Sequence, residues 1–486
     1  MLALRHRLSS LCLKAVRQHG IRGISRTATA AASAASAAKP KPAFVRVPEA
    51  QVTTMDNGLR VASEDWNTPT CTVSVWVEAG SRYETEETNG VAHFLEHVLF
   101  KGTKSRSQLD IEKDIESRGA EVTARTTREL TSYSVRCFSK DVPWAVELLA
   151  DVVRNASFND EAIESGRVEI LRQMQEAEND PRTVVMDYLH SAAYQGTPLS
   201  RPVLGPIDSV RSISKTDIQH YAEDNFKPHR MVVAAAGAVA HSELADLCKR
   251  HFGSLTNDYA RLAPTMKPIR FTGSSLLDRD DHLPFAHVAI AVEGPGWADD
   301  DIIPLSLASA YIGSWDRAQS GGNNIASRLA RQAHDAFNGG VLSYDSFLTS
   351  YRETSLWGMH FVANQESVNF FSKDFQTDWM ELSQDVREFD LVRAKNATLT
   401  NMYSRLAGTQ AACDELGRNI ICYGRRIPMA ELEDRIARVR PAELSQAAQR
   451  YIYDRCPVVA GFGPIEGLPD YNRIRGKMWF YGCRNG

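Results

Sequence analysis

The chain has 486 residues, of which 43% are hydrophobic and 24% are charged, and its formal net charge is −4. This length exceeds one ordinary hydrophobic core, so we expect a globular protein of two or more domains. The sequence contains no run of 18 or more apolar residues and therefore predicts no membrane-spanning helix. Its eight cysteines form no C-x-x-C pair, which argues against a cysteine zinc site or a disulfide framework.

The first 48 residues differ in composition from the rest, because they contain no aspartate and no glutamate. Arginines and lysines alternate with leucines at the start, and an alanine- and serine-rich tract follows from 27 to 38. This composition is typical of a mitochondrial transit peptide, and a disordered basic tail is the alternative. We assign residues 1–43 to a transit peptide, which predicts a protein of the mitochondrial matrix or of the matrix side of the inner membrane.

Loss of residues 1–43 would make the protein clearly acidic. Removing their 8 basic residues leaves 48 basic against 60 acidic residues, a net charge near −12. An acidic protein is a poor candidate for nucleic-acid binding. Its surface would instead favour basic partners.

A predicted strand and a predicted helix follow in the first half of the chain. Residues 72–80 alternate like a half-buried strand that ends in a glycine turn. His93 and His97 then enclose a His-x-x-Glu-His pattern, and on a helix both imidazoles leave the same face. Glu96 lies beside that face and could take a proton from a zinc-bound water. The pattern predicts a zinc peptidase with Glu96 as the catalytic base, although an ordinary packed helix can carry such a pattern by chance.

The chain repeats itself once. The strand pattern at 72–80 recurs at 287–294, and a second pattern at 231–237 recurs at 457–463. Two matches in the same order and at similar spacing indicate a tandem duplication of a unit of about 210 residues. Strands followed by amphipathic helices predict an α+β class in which helices cover a sheet in each half.

The repeat also predicts domain boundaries. We assign residues 44–256 to an N-terminal αβ domain, 257–280 to a linker and 281–486 to a C-terminal αβ domain. Ala308 and Tyr311 stand in the second half where His93 and Glu96 stand in the first. We therefore expect any metal site in the N-terminal domain alone.

The segment from His93 to Thr103 resembles the pitrilysin-like M16 metallopeptidase family. That family includes the β subunit of the mitochondrial processing peptidase and core protein 1 of the cytochrome bc1 complex. The similarity covers nearly the whole chain after the transit peptide and includes 138–141, 188–190, 286–297, 423–428, 463–465 and 468–475. The stretches 292–297 and 468–475 look more like core 1, whereas His93 looks more like the peptidase.

The resemblance implies an α+β fold of two tandem homologous αβ domains of the pitrilysin/LuxS type, with helices packed on mainly antiparallel sheets. It also implies a zinc ion held by three protein ligands. The implied ligands are His93, His97 and a glutamate 76 residues after His97, but that position is occupied by Gln173. A neutral amide removes the only anionic ligand, so we expect weak zinc binding or none. Glu169 or Glu176, one turn away on the predicted helix, could replace it.

Other positions that the resemblance marks as functional are also altered. The family has a second glutamate where this chain has Gly166. A pair of acids implied to bind the arginine of a substrate corresponds to Thr183 and Asp187, which leaves Asp187 as the predicted substrate-binding residue. Thr123 and Arg125 replace an asparagine and a tyrosine on a strand implied to pair with extended substrates.

We therefore predict a core 1-type, matrix-facing subunit of the cytochrome bc1 complex with a weakened zinc site. The implied partners are a homologous α-type or core 2 subunit and other bc1 subunits, and cationic presequence peptides are candidate ligands. The alternative is an active zinc metalloendopeptidase, the β subunit of the mitochondrial processing peptidase. A third hypothesis is a chain that binds presequences or zinc weakly without cutting.

Overall fold

The computed structural model describes residues 47–261, 263–318, 325, 327–335 and 339–479. The predicted transit peptide, residues 1–43, lies outside the described residues. From Pro48 onward, the described residues form one compact unit. None of the helices in the described part of the chain is long and apolar enough to cross a membrane.

The first half of the described chain forms a six-stranded sheet in the order β1-β2-β6-β3-β5-β4. Its strands are β1 Gln51–Thr54, β2 Arg60–Asp65, β3 Thr70–Val77, β4 Glu121–Thr126, β5 Thr131–Phe138 and β6 Met231–Gly237. Its helices are α1 Val91–Val98, α2 Gln108–Arg118, α3 Val142–Asn155, α4 Asp160–Glu178, α5 Pro181–Ala193, α6 Ile207–Ser212, α7 Lys215–Asn225 and α8 His241–Phe252.

The second half forms another six-stranded sheet in the order β7-β12-β8-β11-β10-β9. Its strands are β7 Ser275–Arg279, β8 Ala286–Pro295, β9 Ser314–Asp316, β10 Val341–Ser350, β11 Thr354–Ala363 and β12 Val458–Gly463. Its helices are α9 Ile302–Ile312, α10 Arg328–Asp335, α11 Gln365–Leu382, α12 Glu388–Ser404, α13 Thr409–Tyr423, α14 Met429–Arg438, α15 Pro441–Tyr451 and α16 Tyr471–Gly476.

The two sheets share one topology, as the internal repeat predicts. The series β2-β6-β3-β5-β4 corresponds to β7-β12-β8-β11-β10, while β1 and β9 are additions at opposite edges. Among the described strands, β2–β6 and β7–β12 pair in parallel and the other neighbours pair antiparallel. The predicted α+β class with mainly antiparallel sheets is confirmed.

The repeated sequence patterns correspond to the central strands of the sheets. The patterns at 72–80 and 287–294 lie on β3 and β8, and those at 231–237 and 457–463 lie on β6 and β12. The last residues of the predicted linker, 257–280, form β7, the first strand of the second half, which pairs with β12. The domain boundaries themselves stay a prediction.

Each sheet packs one face against helices of its own half. In the first half, alternate residues of the central strands belong to the same buried cluster as the helix that carries the His-x-x-Glu-His motif. Val75 and Val233 of the sheet share a buried cluster with Phe94 and Leu95 of α1. Burial of such side chains contributes about 1.5–3 kcal/mol each, so α1 is held chiefly by apolar contact.

The opposite face of each sheet is covered by a helix from the other half. Helix α13 of the second half packs on the first sheet, where Leu416 and Ile420 meet Val232 and Ala234. Helix α5 of the first half packs reciprocally on the second sheet, where Leu189 meets Ala291 and Ala460. The small side chains of the strands let the helix backbones approach closely. The two halves therefore exchange one helix each.

Burial on both faces explains the composition of β6. Its seven residues, Met231–Gly237, are all buried and apolar or glycine, without the polar alternation of a half-exposed strand. Val233 and Ala235 face the core of the first half, whereas Val232 and Ala234 face α13. The strand is apolar throughout because one of its faces packs on the core of the first half and the other packs on α13.

The two halves are also joined by buried polar contacts at a hairpin turn. Arg82 pairs with Glu129, and both side chains are almost fully buried. Glu129 also accepts a hydrogen bond of 2.9 Å from the backbone N–H of Arg352, which follows β10 in the second half. Loss of either partner would leave a buried charge unpaired, so this contact ties the turn to the first half.

We expect Gly417→Ala to lower the unfolding midpoint. A Cβ at Gly417 would overlap the buried indole of Trp76 at the contact between α13 and the first sheet. Helix propensity alone would give a gain of about 1 kcal/mol. The overlap should instead give a net loss of about 1–3 kcal/mol. Chemical denaturation would measure the change, with Gly476→Ala as the control because nothing lies within 4 Å of that site. A midpoint for Gly417→Ala at or above that of the control would contradict this packing.

Candidate metal site

The helix that carries the motif, α1, is anchored at its N-terminus by Glu84. Gly90 precedes α1 with a left-handed φ of 102°. The Glu84 carboxylate accepts hydrogen bonds of 2.8 Å from the N–H groups of Gly90 and Ala92, and one of 2.6 Å from the Asn89 side chain. It thereby satisfies backbone donors that a helix start leaves free. Burial raises the pKa of Glu84 to about 7 despite these donors.

The structure brings His93, His97 and Gln173 together. The Oε1 atom of Gln173 lies 3.0 Å from Nε2 of His93 and 3.0 Å from Nε2 of His97, and the two Nε2 atoms are 3.2 Å apart. Tetrahedral zinc with bonds of about 2.0–2.1 Å would separate such atoms by about 3.3–3.4 Å. The spacing of the three atoms is therefore close to that of a metal site.

Gly166 lets α4 approach α1 beside these side chains. A Cβ at Gly166 would lie 3.1 Å from Cγ1 of Val98 and 3.8 Å from Cβ of His97. The position at which the resemblance implies a glutamate thus faces the motif helix. In this chain it provides close packing in place of a carboxylate.

Glu96 contacts the other ring nitrogen of His93. Its Oε2 lies 3.4 Å from Nδ1 of His93. Burial lowers the pKa of His93, but Glu96 more than offsets this and leaves the pKa above its ordinary value. Burial likewise raises the pKa of Glu96, and the contact with His93 outweighs it, so that this pKa is lowered. Burial, together with His93, lowers the pKa of His97.

The donor set does not fit a zinc centre, although its spacing does. Two imidazoles and an amide are neutral, and across the described ranges no group of three or more His, Cys, Asp or Glu residues could hold a metal ion. Glu169 and Glu176 do not supply the missing anionic ligand, because each is paired with Arg172 at 2.5 Å. A site without an anionic ligand is expected to bind Zn²⁺ weakly.

Asp187, the predicted substrate-binding residue, is engaged within the chain. Its Oδ1 accepts a hydrogen bond of 2.7 Å from Arg128, whose side chain is 11% exposed. Thr183, the other position of the implied acidic pair, donates to Asp180 instead. A basic ligand would have to compete with Arg128 for the carboxylate of Asp187, so its role in binding stays a prediction.

Thr123 and Arg125 lie on β4, the edge strand of the first sheet. Among the described strands, β4 is paired only with β5. Its other edge therefore carries backbone groups that an extended segment could pair with. The pairing of a substrate at this edge stays a prediction.

Sequence reasoning missed Glu84 and Arg128. Glu84 stands six residues before Gly90, outside the positions at which a helix cap is usually sought. Arg128 lies in the turn between β4 and β5, and its partner is 59 residues away. Both roles depend on contacts that no local pattern reveals.

Two family models together match most of the described chain. The model described as "Insulinase (Peptidase family M16)" matches residues 60–207. The model described as "Peptidase M16 inactive domain" matches residues 212–398. The first match contains the His-x-x-Glu-His motif and Gln173, and the second contains none of these residues.

Curated relatives match almost the full length of the chain. Human mitochondrial cytochrome b-c1 complex subunit 1 is 47% identical over 474 residues, which is 94% of this chain and 98% of that protein. The bovine mitochondrial-processing peptidase subunit beta is 47% identical over 439 residues, covering 90% and 89% respectively. A chain in the solved structure of complex III2 from Candida albicans, with Inz-5 bound, gives a TM-score of 0.80 at 26% identity. That match covers 88% of this chain and 100% of the other.

We expect Glu84→Gln to flatten the pH dependence of stability. On folding, the pKa of Glu84 rises from 4.5 to about 7, so between these values the native state binds more protons than the unfolded state. The contribution of Glu84 is therefore complete below about pH 4.5 and is lost as the pH rises towards 7, by at most about 1.4 kcal/mol per pH unit.

Urea unfolding between about pH 5 and about pH 8 would measure this slope for the wild type and for Glu84→Gln. The exposed neighbour Glu86 offers the matched control, Glu86→Gln. Equal slopes for Glu84→Gln and the control would show that Glu84 is already ionised throughout this range.

Proposed function

This chain belongs to peptidase family M16, and we propose that it serves as a core 1-type subunit of the mitochondrial cytochrome b-c1 complex. Similarity to cytochrome b-c1 complex subunit 1 over 94% of the chain supports this function. The likeness to a chain of a complex III structure supports it further. In this role the chain is a structural subunit of the complex and has no peptidase activity of its own.

The observation that carries the structural role is the amide of Gln173 in the third ligand position. Active members of the family use zinc, and a carboxylate there would supply the negative charge that two imidazoles lack. Here the nearest carboxylates contact His93 Nδ1 or Arg172 instead. We infer that the purified subunit carries little or no zinc.

The proposed partners are the other subunits of the complex, with a homologous α-type or core 2 subunit as the neighbour of this chain. The proposed location is the matrix side of the inner membrane, which the acid-free segment 1–43 favours as an import signal. Cationic presequences are the proposed ligands if any peptide binds. Two arginines argue against presequence binding, namely Arg128 at Asp187 and Arg125 on β4. Each places a positive charge near the implied binding positions, where it would repel a cationic peptide.

A second candidate function is that of a processing peptidase subunit. Identity to the mitochondrial-processing peptidase subunit beta is also 47%. The retained Glu96, with both histidines in place, favours this candidate, since a scaffold does not need these three residues. The two functions differ in one measurable property, which is zinc-dependent cleavage.

We expect the wild-type chain, combined with a homologous α-type partner, not to cleave presequence peptides. Gln173→Glu should restore an anionic ligand, raise zinc affinity by at least about tenfold and permit cleavage that a chelator abolishes. Peptide cleavage with and without chelator, together with the zinc content of each purified protein, would test this.

The matched control is Gln175→Glu, the same chemical change at an exposed position two residues away on α4. Cleavage by the wild type that stops on zinc removal would refute the purely structural role and support the peptidase. Gain of cleavage by Gln175→Glu would show that added charge on α4, not a ligand at 173, is responsible.

A further inference from the structure

We propose that Gln173 takes the place of the metal ion and joins α1 to α4 through hydrogen bonds, as a metal-free latch. The latch consists of His93, His97 and Gln173. This inference rests on the proposed function, in which the chain is a structural subunit, and it deepens that function. It assigns a task to residues that a subunit without peptidase activity would otherwise not need.

The hydrogen-bonding capacity of the three groups fits the latch. A glutamine carbonyl oxygen has two lone pairs and can accept two hydrogen bonds. Oε1 of Gln173 lies 3.0 Å from each Nε2, which is an ordinary N–H···O distance. Oε1 of Gln173 is therefore placed to accept a hydrogen bond from each ring.

Hydrogen bonding of this kind competes with a metal ion for the same ring nitrogens. A metal binds the lone pair of an imidazole nitrogen, and a protonated Nε2 has none to offer. The oxygen of Gln173 is already shared by two donors. A carboxylate at 173 would stabilise a bound metal cation. The neutral amide does not, and it favours the hydrogen-bonded arrangement over metal binding.

The latch joins elements that are otherwise held by few polar contacts. His93 is 9% exposed, and α1 meets α4 through apolar packing around Gly166. His93 is buried and His97 and Gln173 are half-buried. Polar groups with little access to water are costly to leave unpaired, so hydrogen bonds among these three side chains stabilise the contact between the two helices. Glu169 and Glu176 are both paired with Arg172.

Hydrogen–deuterium exchange of the full chain, purified with the subunits that accompany it, tests the latch. The readout is the exchange rate of backbone amides in 91–98 and 170–178. Gln173→Met fills a similar volume but accepts no comparable hydrogen bond, so exchange there should become at least about tenfold faster. Gln175→Met, at an exposed position on the same helix, is the matched control and should change the rate less than about twofold.

A chelator distinguishes the latch from a metal site. The wild-type rates should be the same with and without chelator, whereas Gln173→Glu should exchange more slowly when zinc is added. Faster exchange of the wild type in chelator, or equal rates for Gln173→Met and Gln175→Met, would overturn the latch. The proposed function is tested by a different assay, presequence cleavage. The exchange measurement does not detect catalysis, so failure of the latch and failure of the proposed function can be told apart.

Discussion

The structure depends on the reciprocal exchange of α5 and α13 between the two halves. Each six-stranded sheet has two apolar faces, and helices of its own half cover only one of them. The second face of each sheet is covered by the helix that the other half donates. Neither half could expose that face to water without losing a large area of apolar burial. The exchange therefore makes the two homologous halves one folding unit.

This architecture explains how the fold can persist while a catalytic site changes. The position of α1 is set by the buried cluster around Phe94 and Leu95 and by the carboxylate of Glu84 at its N-terminus. None of these contacts involves a metal ligand. The packing of the helix therefore does not depend on whether residue 173 carries an amide or a carboxylate. A family of peptidases can supply structural subunits in this way.

The sequence predicted the fold well where a pattern was local or repeated. The recurrence of the β3 and β6 patterns in β8 and β12 predicted two sheets of one topology, because strand composition follows burial on both faces. The spacing of His93 and His97 predicted a shared helix face, which follows from helix geometry. The exchanged helices were not predicted, because an apolar helix face does not specify which sheet it covers.

The sequence by itself determined which side chains the candidate site contains, including the neutral amide at 173, and it showed that the His-x-x-Glu-His pattern does not recur in the second half. It did so because residue identity and helix spacing are properties of the chain. Only the tertiary structure decided how those groups are paired: Gln173 with both imidazoles, Arg172 with Glu169 and Glu176, and Arg128 with Asp187. The distance between two side chains on separate elements depends on how those elements pack, and no local pattern encodes it.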